Sequence, residues 1–431
     1  MTLVIKGQTL TFVAEGTALY ESRGAIAVGN RGRIEWCGPQ SLLPEHFRVS
    51  EVHDYGDMIV MPGFIDAHIH FPQYRMLAAP GKDLLDWLMR FTFPEESRYG
   101  DKTYAEAAAG IFLDRLFQHG TTSAMAFCSV HKACAEALFE AAETRNMALI
   151  TGKTMMDRNA IPDVQDDPET GARETEDLHT AWHGRGRLRH AVTPRFAITS
   201  SEAQLKLSGE LLAQLPGALM QTHLSESPGE IAFVKQLFPN AKDYTDVYES
   251  FGLLGTRSFF AHGVHLSDRE CTRLSESGST VVHCPTSNTF LGSGLMPMTH
   301  LRKASRPVHL GLATDIGAGT SFSMLATLGE TYKVQMLSGY KPTAIELFCM
   351  ATRGNAERLR IGHETGSIET GKYADLIVLD PKATPVLASR QELSQSLEDV
   401  LFSLMILGDD RAIHGTYVAG RKVHGRITVQ G

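Results

Sequence analysis

The middle of this 431-residue chain repeats one pattern, a short apolar or β-branched run followed by a longer helical stretch. The apolar runs are "FIDAHIHF", "TTSAMAF", "ALITGKTMMD", "HAVTPRFAIT", "LMQTHLSES", "SFFAHGVHLS", "STVVHCPTSN" and "VHLGLATDIGAG". Eight strands that alternate with helices predict a (β/α)₈ barrel of the TIM type. The same alternation is compatible with a doubly wound parallel sheet, which stays open on pattern alone.

The two ends of the chain have a different character. The first 57 residues alternate apolar and polar positions between turns, as in "LVIKGQTLTFV", and "IHGTYVAGRKVHGRITVQG" does the same near the C-terminus. This pattern is typical of short antiparallel strands. We therefore expect residues 1–60 and 371–431 to form a small, discontinuous β-sandwich domain, and residues 61–370 to form the barrel.

Polar residues recur at the predicted strand ends, where barrel enzymes place their catalytic groups. His68 and His70 end the first strand in "PGFIDAHIHFPQYR". Because strand side chains alternate faces, the two imidazoles point the same way, into the barrel mouth, while Ala67 and Ile69 point to the helices. An isolated H-x-H often only satisfies local hydrogen bonds. Further polar residues at later strand ends favour a metal site instead.

A metal-binding set can be assembled from His68 and His70, His223 of the fifth strand and Asp315 of the eighth. Three imidazoles and one carboxylate suit Zn²⁺, and Fe²⁺ is possible. We expect one ion per subunit. An open coordination position would make the site catalytic, because a bound metal lowers the pKa of water to about 7.

Three further residues near these strand ends have competing interpretations. Glu226, in "HLSES", suits proton transfer between attacking water, substrate and leaving group, although it could instead belong to a helix cap. His262 could bind the metal or orient the attacking water, and we favour the second role. Lys153 could be a carboxylated bridge between two metals, but the fourth strand, which should supply such a lysine, offers Arg195 instead.

Together these residues resemble the amidohydrolase superfamily. The resemblance rests on "HIHFPQ", "LLDWLMRFTFPEE", "TPRFAITS", "THLSES", "HCPTSNTFLGSGL" and "TDIGAGTSFSML", which follow one another along the whole chain. Within the superfamily, the match is closer still to members that convert guanine to xanthine and ammonia. The resemblance implies zinc at His68, His70, His223 and Asp315. It implies substrate contacts from Gln73, Arg195, Phe196, His223 and Glu226, catalysis by Glu226, His262 and Asp315, and a homodimer.

The chemistry of the residues agrees with a purine substrate. Arg matches the O6 and N7 acceptors of guanine, so Arg195 would read O6 and reject the amino group of adenine. Gln73 has a donor and an acceptor for the ring edge, and Phe196 can stack on the purine, unless it only packs in the core. The "LLDWLMRFTFPEE" segment could cap the pocket, although helical packing also explains its aromatic residues.

Other functions remain open at this point. A pterin or 8-oxoguanine shares the amino-lactam edge of guanine, and cytosine or triazine deaminases belong to the same superfamily. A scaffold that has lost its chemistry would lack a ligand or the proton-transferring residue, and none is missing. The H-x-E…P-C-x-x-C signature of the cytidine-type zinc deaminases is absent.

Composition limits the partners. A net charge of -8 without a Lys/Arg cluster disfavours nucleic acid. No signal peptide and no apolar run long enough for a bilayer is visible, so we expect a cytoplasmic enzyme without a membrane partner, which acts on a small purine. The six cysteines form no C-x-x-C pair and are expected to be buried, reduced thiols.

Overall fold

The computed structural model describes residues 2–47 and 50–425. Its strands, in chain order, are β1 (Leu3–Ala14), β2 (Thr17–Val28), β3 (Ile34–Pro39), β4 (Glu51–Pro62), β5 (Phe64–His70), β6 (Thr121–Phe127), β7 (Ala148–Gly152), β8 (Thr154–Met155), β9 (Leu188–Pro194), β10 (Leu219–Leu224), β11 (Ser258–His262), β12 (Thr280–His283), β13 (His309–Leu312), β14 (Leu376–Leu379), β15 (Ile413–Val418) and β16 (Arg421–Gly425).

Several helices begin at sequence signals that provide caps for their first amide groups. The Asp101 carboxylate accepts hydrogen bonds from the amides of Thr103 and Tyr104, and Ser267 and Glu270 form a capping box. The α-helices are α1 (Leu84–Trp87), α2 (Phe93–Ser97), α3 (Lys102–Gln118), α4 (Lys132–Thr144), α5 (Pro168–Trp182), α6 (Glu202–Gln214), α7 (Pro228–Leu237), α8 (Tyr244–Ser250), α9 (Asp268–Ser277), α10 (Pro285–Phe290), α11 (Met298–Leu301), α12 (Met324–Leu337), α13 (Ala344–Cys349), α14 (Asn355–Arg358), α15 (Pro385–Gln391) and α16 (Leu397–Leu407).

Eight parallel strands form the barrel, in the order β5, β6, β7, β9, β10, β11, β12 and β13, which confirms the predicted (β/α)₈ fold. Asn355 ties the seam between the first and last strands. Its Nδ2 donates to the carbonyls of Ile65 (2.6 Å) and Leu312 (2.8 Å), and its Oδ1 accepts from the Leu312 amide (3.0 Å). At the mouth, the Asp315 amide donates to the His68 carbonyl (3.0 Å). These bonds fix the metal-binding residues of β5 beside those that follow β13.

A layer of small and apolar side chains from seven of the strands, and from Ala313 directly after β13, fills the barrel below the mouth. Ala67 belongs to this layer, so the prediction that it faces the helices is wrong. The reason is a shift in the register of β5 against β6 between Asp66 and Ile69. This irregularity reverses the alternation of faces, so that Ala67 points inward and His68 also reaches the centre. Ile69 packs outward, as predicted, in a cluster with α3.

The predicted β-domain does arise from both ends of the chain. Its strands form one mixed sheet of seven, in the order β16, β15, β14, β4, β1, β2 and β3, rather than two sheets. Strands β1 and β4 pair in parallel. Two helices, α15 and α16, separate β14 from β15, and α16 packs against the barrel helix α12. The domain boundaries stay a prediction, and the end of the predicted C-terminal strand region, residues 426–431, lies outside the described residues.

Two further predictions concern the membrane and the cysteines. Within residues 2–47 and 50–425, every helix is too short or too polar to cross a bilayer. All six cysteines are free, and five are buried, but Cys37 is only half-buried, because β3 lies at the edge of the terminal sheet.

Candidate active site at the mouth of the barrel

Four side chains from β5, from the end of β10 and from the loop after β13 converge at the centre of the barrel mouth. The Nε2 atom of His70 lies 3.2 Å from that of His68 and 3.1 Å from that of His223. The Asp315 Oδ1 atom lies 3.3 Å from His68 Nε2 and 3.4 Å from His70 Nε2. All four residues are buried. The predicted metal ligands thus bring their donor atoms to one point.

The spacing of neighbouring donors fits ligands of one metal ion. Ligands about 2.0–2.2 Å from one zinc ion lie roughly 2.8–3.6 Å from their neighbours, and the observed distances are 3.1–3.4 Å. The Nδ1 atom of His223 lies 2.7 Å from the carbonyl of Arg195. A carbonyl only accepts, so this nitrogen carries the proton and the Nε2 lone pair faces the centre of the site.

Burial sets the charge of the donors. It lowers the pKa of His70 to about 3 and that of His223 well below its usual range, so both imidazoles are neutral and available as ligands. Burial alone would raise the pKa of Asp315, but the adjacent rings of His68 and His70 outweigh it and hold this pKa well below its usual range. The set therefore offers neutral nitrogens and one carboxylate, which is the charge state that a divalent metal needs.

The backbone is unusual at two of the strand ends. His262, the last residue of β11, has φ 74°, and Asp315, after β13, has φ 54°. Residues other than glycine seldom adopt this left-handed conformation, and they often do so at functional sites. The turn aims both side chains at the centre of the mouth, where strict alternation from Phe259 and Ala261 of the interior layer would point His262 outward.

Glu226 lies beside the donor set and is completely buried. Its Oε1 accepts from the Ser293 hydroxyl (3.1 Å), and its Oε2 lies 3.4 Å from His262 Nε2. Burial, together with the negative charge of Asp315, raises the pKa of Glu226 to about 8. A carboxyl group with this pKa can both hold and release a proton near neutral pH. The capping box of α7 is formed by Ser227 and Glu230, so Glu226 is not needed as a helix cap.

His262 is oriented by a neighbour that the sequence did not suggest. Its Nδ1 lies 2.9 Å from Asn288 Oδ1, and its Nε2 lies 3.8 Å from Asp315 Oδ2. The Asn288 amide thereby directs the other ring nitrogen toward Glu226 and Asp315. This placement suits either of the two roles considered for His262, ligand or orienting donor, and its role stays a prediction.

Arg195 and Gln73 share one buried carboxylate, that of Glu96. Arg195 Nη1 donates to both oxygens of Glu96 (2.9 and 2.9 Å), and Gln73 Nε2 donates to Oε1 (2.8 Å). Gln73 Oε1 accepts from the Gly317 amide (3.2 Å). Arg195 follows the last residue of β9, Pro194, rather than lying within the strand as predicted, because the β9 ladder ends at the mouth.

A cavity opens above the donor set. It is lined by the predicted site residues Gln73, Arg195, Phe196, His223, Glu226, His262 and Asp315, and by His70. Leu84, Trp87 and Leu88 of the "LLDWLMRFTFPEE" segment form another part of its wall. This segment is helical and also covers the mouth, so both interpretations of it hold.

Lys153 lies away from the donor set. Its buried ammonium group pairs with Asp166 Oδ2 (2.6 Å) and Glu174 Oε2 (2.8 Å). These carboxylates belong to the loop before α5 and to α5 itself, so Lys153 fastens this loop to the wall of the barrel. The arrangement agrees with the preference for one metal over a lysine-bridged pair.

Sequence reasoning missed three residues of the site, namely Glu96, Asn288 and Asp66. The buried Asp66 carboxylate accepts from the His68 amide (3.2 Å) and from the hydroxyl and amide of Thr314, so it links the two ligand-bearing segments. Burial raises the pKa of Asp66 to about 7. A signal for Glu96 did exist, because it follows Phe93 by three positions and so shares its buried helix face.

Comparison with known proteins agrees with this geometry. The model of the amidohydrolase family matches residues 59–423. A guanine deaminase from Escherichia coli (strain K12) is 44% identical over 422 residues, which cover 97% of this chain and 93% of that protein.

Two solved structures extend the comparison. A guanine deaminase from Bradyrhizobium japonicum superimposes with a TM-score of 0.95 at 35% identity, over 99% of this chain and 100% of that one. A guanine deaminase from C. acetobutylicum with guanine bound in its active site gives a TM-score of 0.89 at 29% identity, over 98% of this chain and 100% of that one.

Proposed function

Because the chain belongs to the amidohydrolase family, we propose that it is a zinc-dependent enzyme that hydrolyses guanine to xanthine and ammonia. The observation that carries the proposal is the cavity that joins a four-donor set to the buried pair of Arg195 and Glu96. The donor set suits hydrolysis, and the arginine suits a ring with an exocyclic oxygen. The similarity to guanine deaminases over nearly the whole chain supports the same substrate.

His68, His70, His223 and Asp315 would hold the ion. Zinc bound there would lower the pKa of a coordinated water to about 7 and so make the nucleophile available at neutral pH. Fe²⁺ suits the same nitrogen and oxygen donors, and we propose zinc because imidazole nitrogens and a carboxylate are ligands that zinc commonly takes.

Glu226 would move the protons. Its carboxylate accepts a proton from the attacking water and passes it to N3 of guanine as the new C2–O bond forms. The hydroxyl on C2 then gives up its proton, which Glu226 passes to the exocyclic amino group. The C2–N bond breaks, ammonia leaves, and the C2=O bond of xanthine forms. A carboxyl group with a pKa of about 8 is suited to both directions of transfer. His262, at 3.4 Å from Glu226, would orient the attacking water, and Asp315 could share the first proton.

Three side chains would read the purine. Arg195 donates hydrogen bonds to O6, and Gln73 addresses the ring edge that carries N–H and N. Phe196, which is 97% buried and lines the cavity, stacks on the ring. The edges of the His223 ring and of Glu226 complete the binding surface. Adenine would place an amino donor against the Arg195 donors, at a cost of about 1–3 kcal/mol for the unpaired groups.

The test is a substrate panel. Purified protein loaded with zinc is incubated with guanine, 8-oxoguanine, isoxanthopterin, cytosine and adenine, and the release of ammonia is measured. We expect guanine to give the highest kcat/KM. A higher kcat/KM for the pterin or for 8-oxoguanine would move the proposal to that amino-lactam ring, and a protein that binds no metal and releases no ammonia would be a scaffold.

We also propose, from the family resemblance alone, that the enzyme is a homodimer that acts in purine catabolism in the cytoplasm. Size-exclusion chromatography with light scattering tests the dimer, since a monomer at micromolar concentration would contradict it.

A further inference from the structure

We propose that Glu96 is the positioning residue for substrate recognition, which fixes both Arg195 and Gln73 and balances the charge of the arginine. The inference rests on the proposed function for the identity of the substrate, but the contacts that carry it do not depend on which ring binds. It assigns to the helical segment over the mouth, which we call the cap segment (residues 83–100), a part in recognition beyond that of a cover.

The first step is the geometry of the shared carboxylate. Glu96 is completely buried and accepts three hydrogen bonds of 2.8–2.9 Å, two from Arg195 Nη1 and one from Gln73 Nε2. Charge-assisted bonds of this length are strong and hold their donors in one orientation. The guanidinium group and the amide are therefore placed relative to each other by a single group.

The second step concerns the amide of Gln73. A carboxylate only accepts hydrogen bonds, so Glu96 requires that the nitrogen of the amide, and not its oxygen, faces it. The Gly317 amide, which donates to Gln73 Oε1 (3.2 Å), requires the same orientation from the other side. The second N–H of Gln73 and the remaining lone pair of its oxygen are thereby fixed for a ligand. A glutamine at position 96 could accept or donate, and it would no longer specify this orientation.

The third step concerns charge. Arg195 is 97% buried, and a buried guanidinium without a counter-charge would be drawn to the nearest carboxylates. Glu96 supplies this counter-charge from the side of the cap segment, at 2.9 Å from Arg195 Nη1.

The fourth step connects recognition to the cap segment. Phe93 and Glu96 lie on the same face of α2, and the Phe93 ring lies under the guanidinium of Arg195, with 5.5 Å from Cζ to the ring centroid. Leu84 and Trp87 of the same segment line the cavity. The cap segment therefore both covers the mouth of the barrel and contacts Arg195.

The cap segment also supplies a matched control. Glu95, the preceding residue, is partly exposed, and it accepts hydrogen bonds from the Tyr104 hydroxyl (2.8 Å) and from Arg98 (3.1 Å) on the outer side of the segment. Glu96→Gln and Glu95→Gln make the same chemical change at adjacent positions, but only the first touches Arg195 and Gln73.

The experiment measures kcat and KM for the zinc-loaded variants with whichever of guanine, 8-oxoguanine and isoxanthopterin the wild type deaminates. For Glu96→Gln we expect KM to rise about 10- to 100-fold and kcat to fall about threefold or less. For Glu95→Gln we expect KM and kcat to stay within about twofold of the wild-type values. A residue that only stabilises the fold would lower the melting temperature and the active fraction while KM stayed the same, and that result would overturn the inference.

A double variant keeps the inference testable if Glu96→Gln folds poorly. Glu96→Gln/Arg195→Gln removes both charges and leaves neither of them buried alone. If Glu96 acts mainly through Arg195, the KM of the double variant should lie within about threefold of that of Arg195→Gln. If the effects of Glu96→Gln and Arg195→Gln on KM multiply in the double variant, Glu96 does not act through Arg195, and the inference is overturned. If the wild type rejects guanine but accepts another ring, only the proposed function fails, and a wild type that accepts none contradicts both.

Discussion

Histidines gather on both faces of the barrel wall, but only those on the inner face converge. At the mouth, the Nε2 atoms of His68, His70 and His223 point at one centre, with adjacent pairs 3.1–3.2 Å apart, and Asp315 supplies a carboxylate. Each of the three imidazoles places its Nε2 atom next to another donor atom of the set. This set, which we call the inner histidines, has the geometry of a ligand shell.

The outer histidines lie between β9 and α5, and they are His179, His183 and His190. The His190 side chain points out of the barrel, because that of its neighbour Ala191 on β9 points into the interior layer. The rings of His179 and His183 stack face to face at 4.5 Å. Both ring nitrogens of His190 are buried without a hydrogen-bond partner in the described part of the chain.

The difference shows what turns a histidine cluster into a metal site. Both sets contain a buried histidine, and burial lowers the pKa of His190, like that of His70, to about 3. The inner set adds aligned donor atoms and a carboxylate, whereas in the described residues the outer set makes no group of three donors close enough to share an ion. Convergence of the donor atoms is therefore the feature that distinguishes the inner set from the outer set.

The largest expected effect is the loss of one inner histidine. His70→Ala removes a donor from the centre, so we expect bound zinc to fall to a small fraction of the wild-type content and the release of ammonia from guanine to fall to background. Elemental analysis and an ammonia assay measure both quantities. His190→Leu is the matched control and should keep metal and activity. If His190→Leu lost zinc while His70→Ala kept it, the assignment of the metal site to the inner histidines would be contradicted.

The next largest effect separates metal binding from proton transfer at the mouth. Glu226→Gln keeps the shape of the side chain but cannot carry a proton, so we expect kcat to fall by about 10²- to 10⁴-fold while the zinc content stays at that of the wild type. Steady-state kinetics with metal analysis of the same sample decides this point. A variant with more than a tenth of the wild-type kcat would remove Glu226 from the mechanism.

The outer histidine His190 is expected to make the folded protein less stable in acid, and this effect does not act through catalysis. His190 is neutral in the folded state down to a pKa of about 3, whereas in the unfolded chain it takes up a proton below its ordinary pKa of 6.5. The free energy of unfolding should therefore fall as the pH drops below 6.5, by about 2 kcal/mol at pH 5 from this residue alone.

Denaturant unfolding of the wild type and of His190→Leu at pH 8 and pH 5 measures this contribution. We expect the variant to lose less stability between the two pH values than the wild type does. An equal loss in both proteins would show that His190 is not held neutral by the fold.

The smallest expected effect comes from losing the Phe196 ring, which stacks on the flat face of the purine. Phe196→Leu keeps an apolar wall of the cavity but removes the aromatic ring, so we expect KM for guanine to rise about fivefold, which corresponds to about 1 kcal/mol, with kcat nearly unchanged. Initial-rate kinetics over a range of guanine concentrations measures it. An unchanged KM would assign Phe196 to core packing.

The barrel and most of its mouth could be predicted because their signals are local. Parallel strands buried on both faces appear as continuous apolar runs, and the polar residue that ends such a run faces the mouth in a barrel. His223 and Asp315 were identified in this way. The metal donors do come together, although what each residue does in turnover is still a prediction.

The remaining features depend on contacts between distant segments. Glu96 meets Arg195, 99 residues later in the chain, and no local pattern links the two. The inward turn of Ala67 comes from a shift in pairing between β5 and β6, and the left-handed backbone at His262 is stabilised by surrounding structure. Patterns of period two or 3.6 describe regular elements, and these features are departures from regularity.

The most direct test of a single metal centre formed by the inner histidines is a titration. Metal-free protein receives zinc in steps, and the release of ammonia from guanine is measured after each step. We expect activity to rise linearly and to level off at one zinc per chain. Activity in the metal-free protein, or a rise that continues to two zinc ions per chain, would contradict this account.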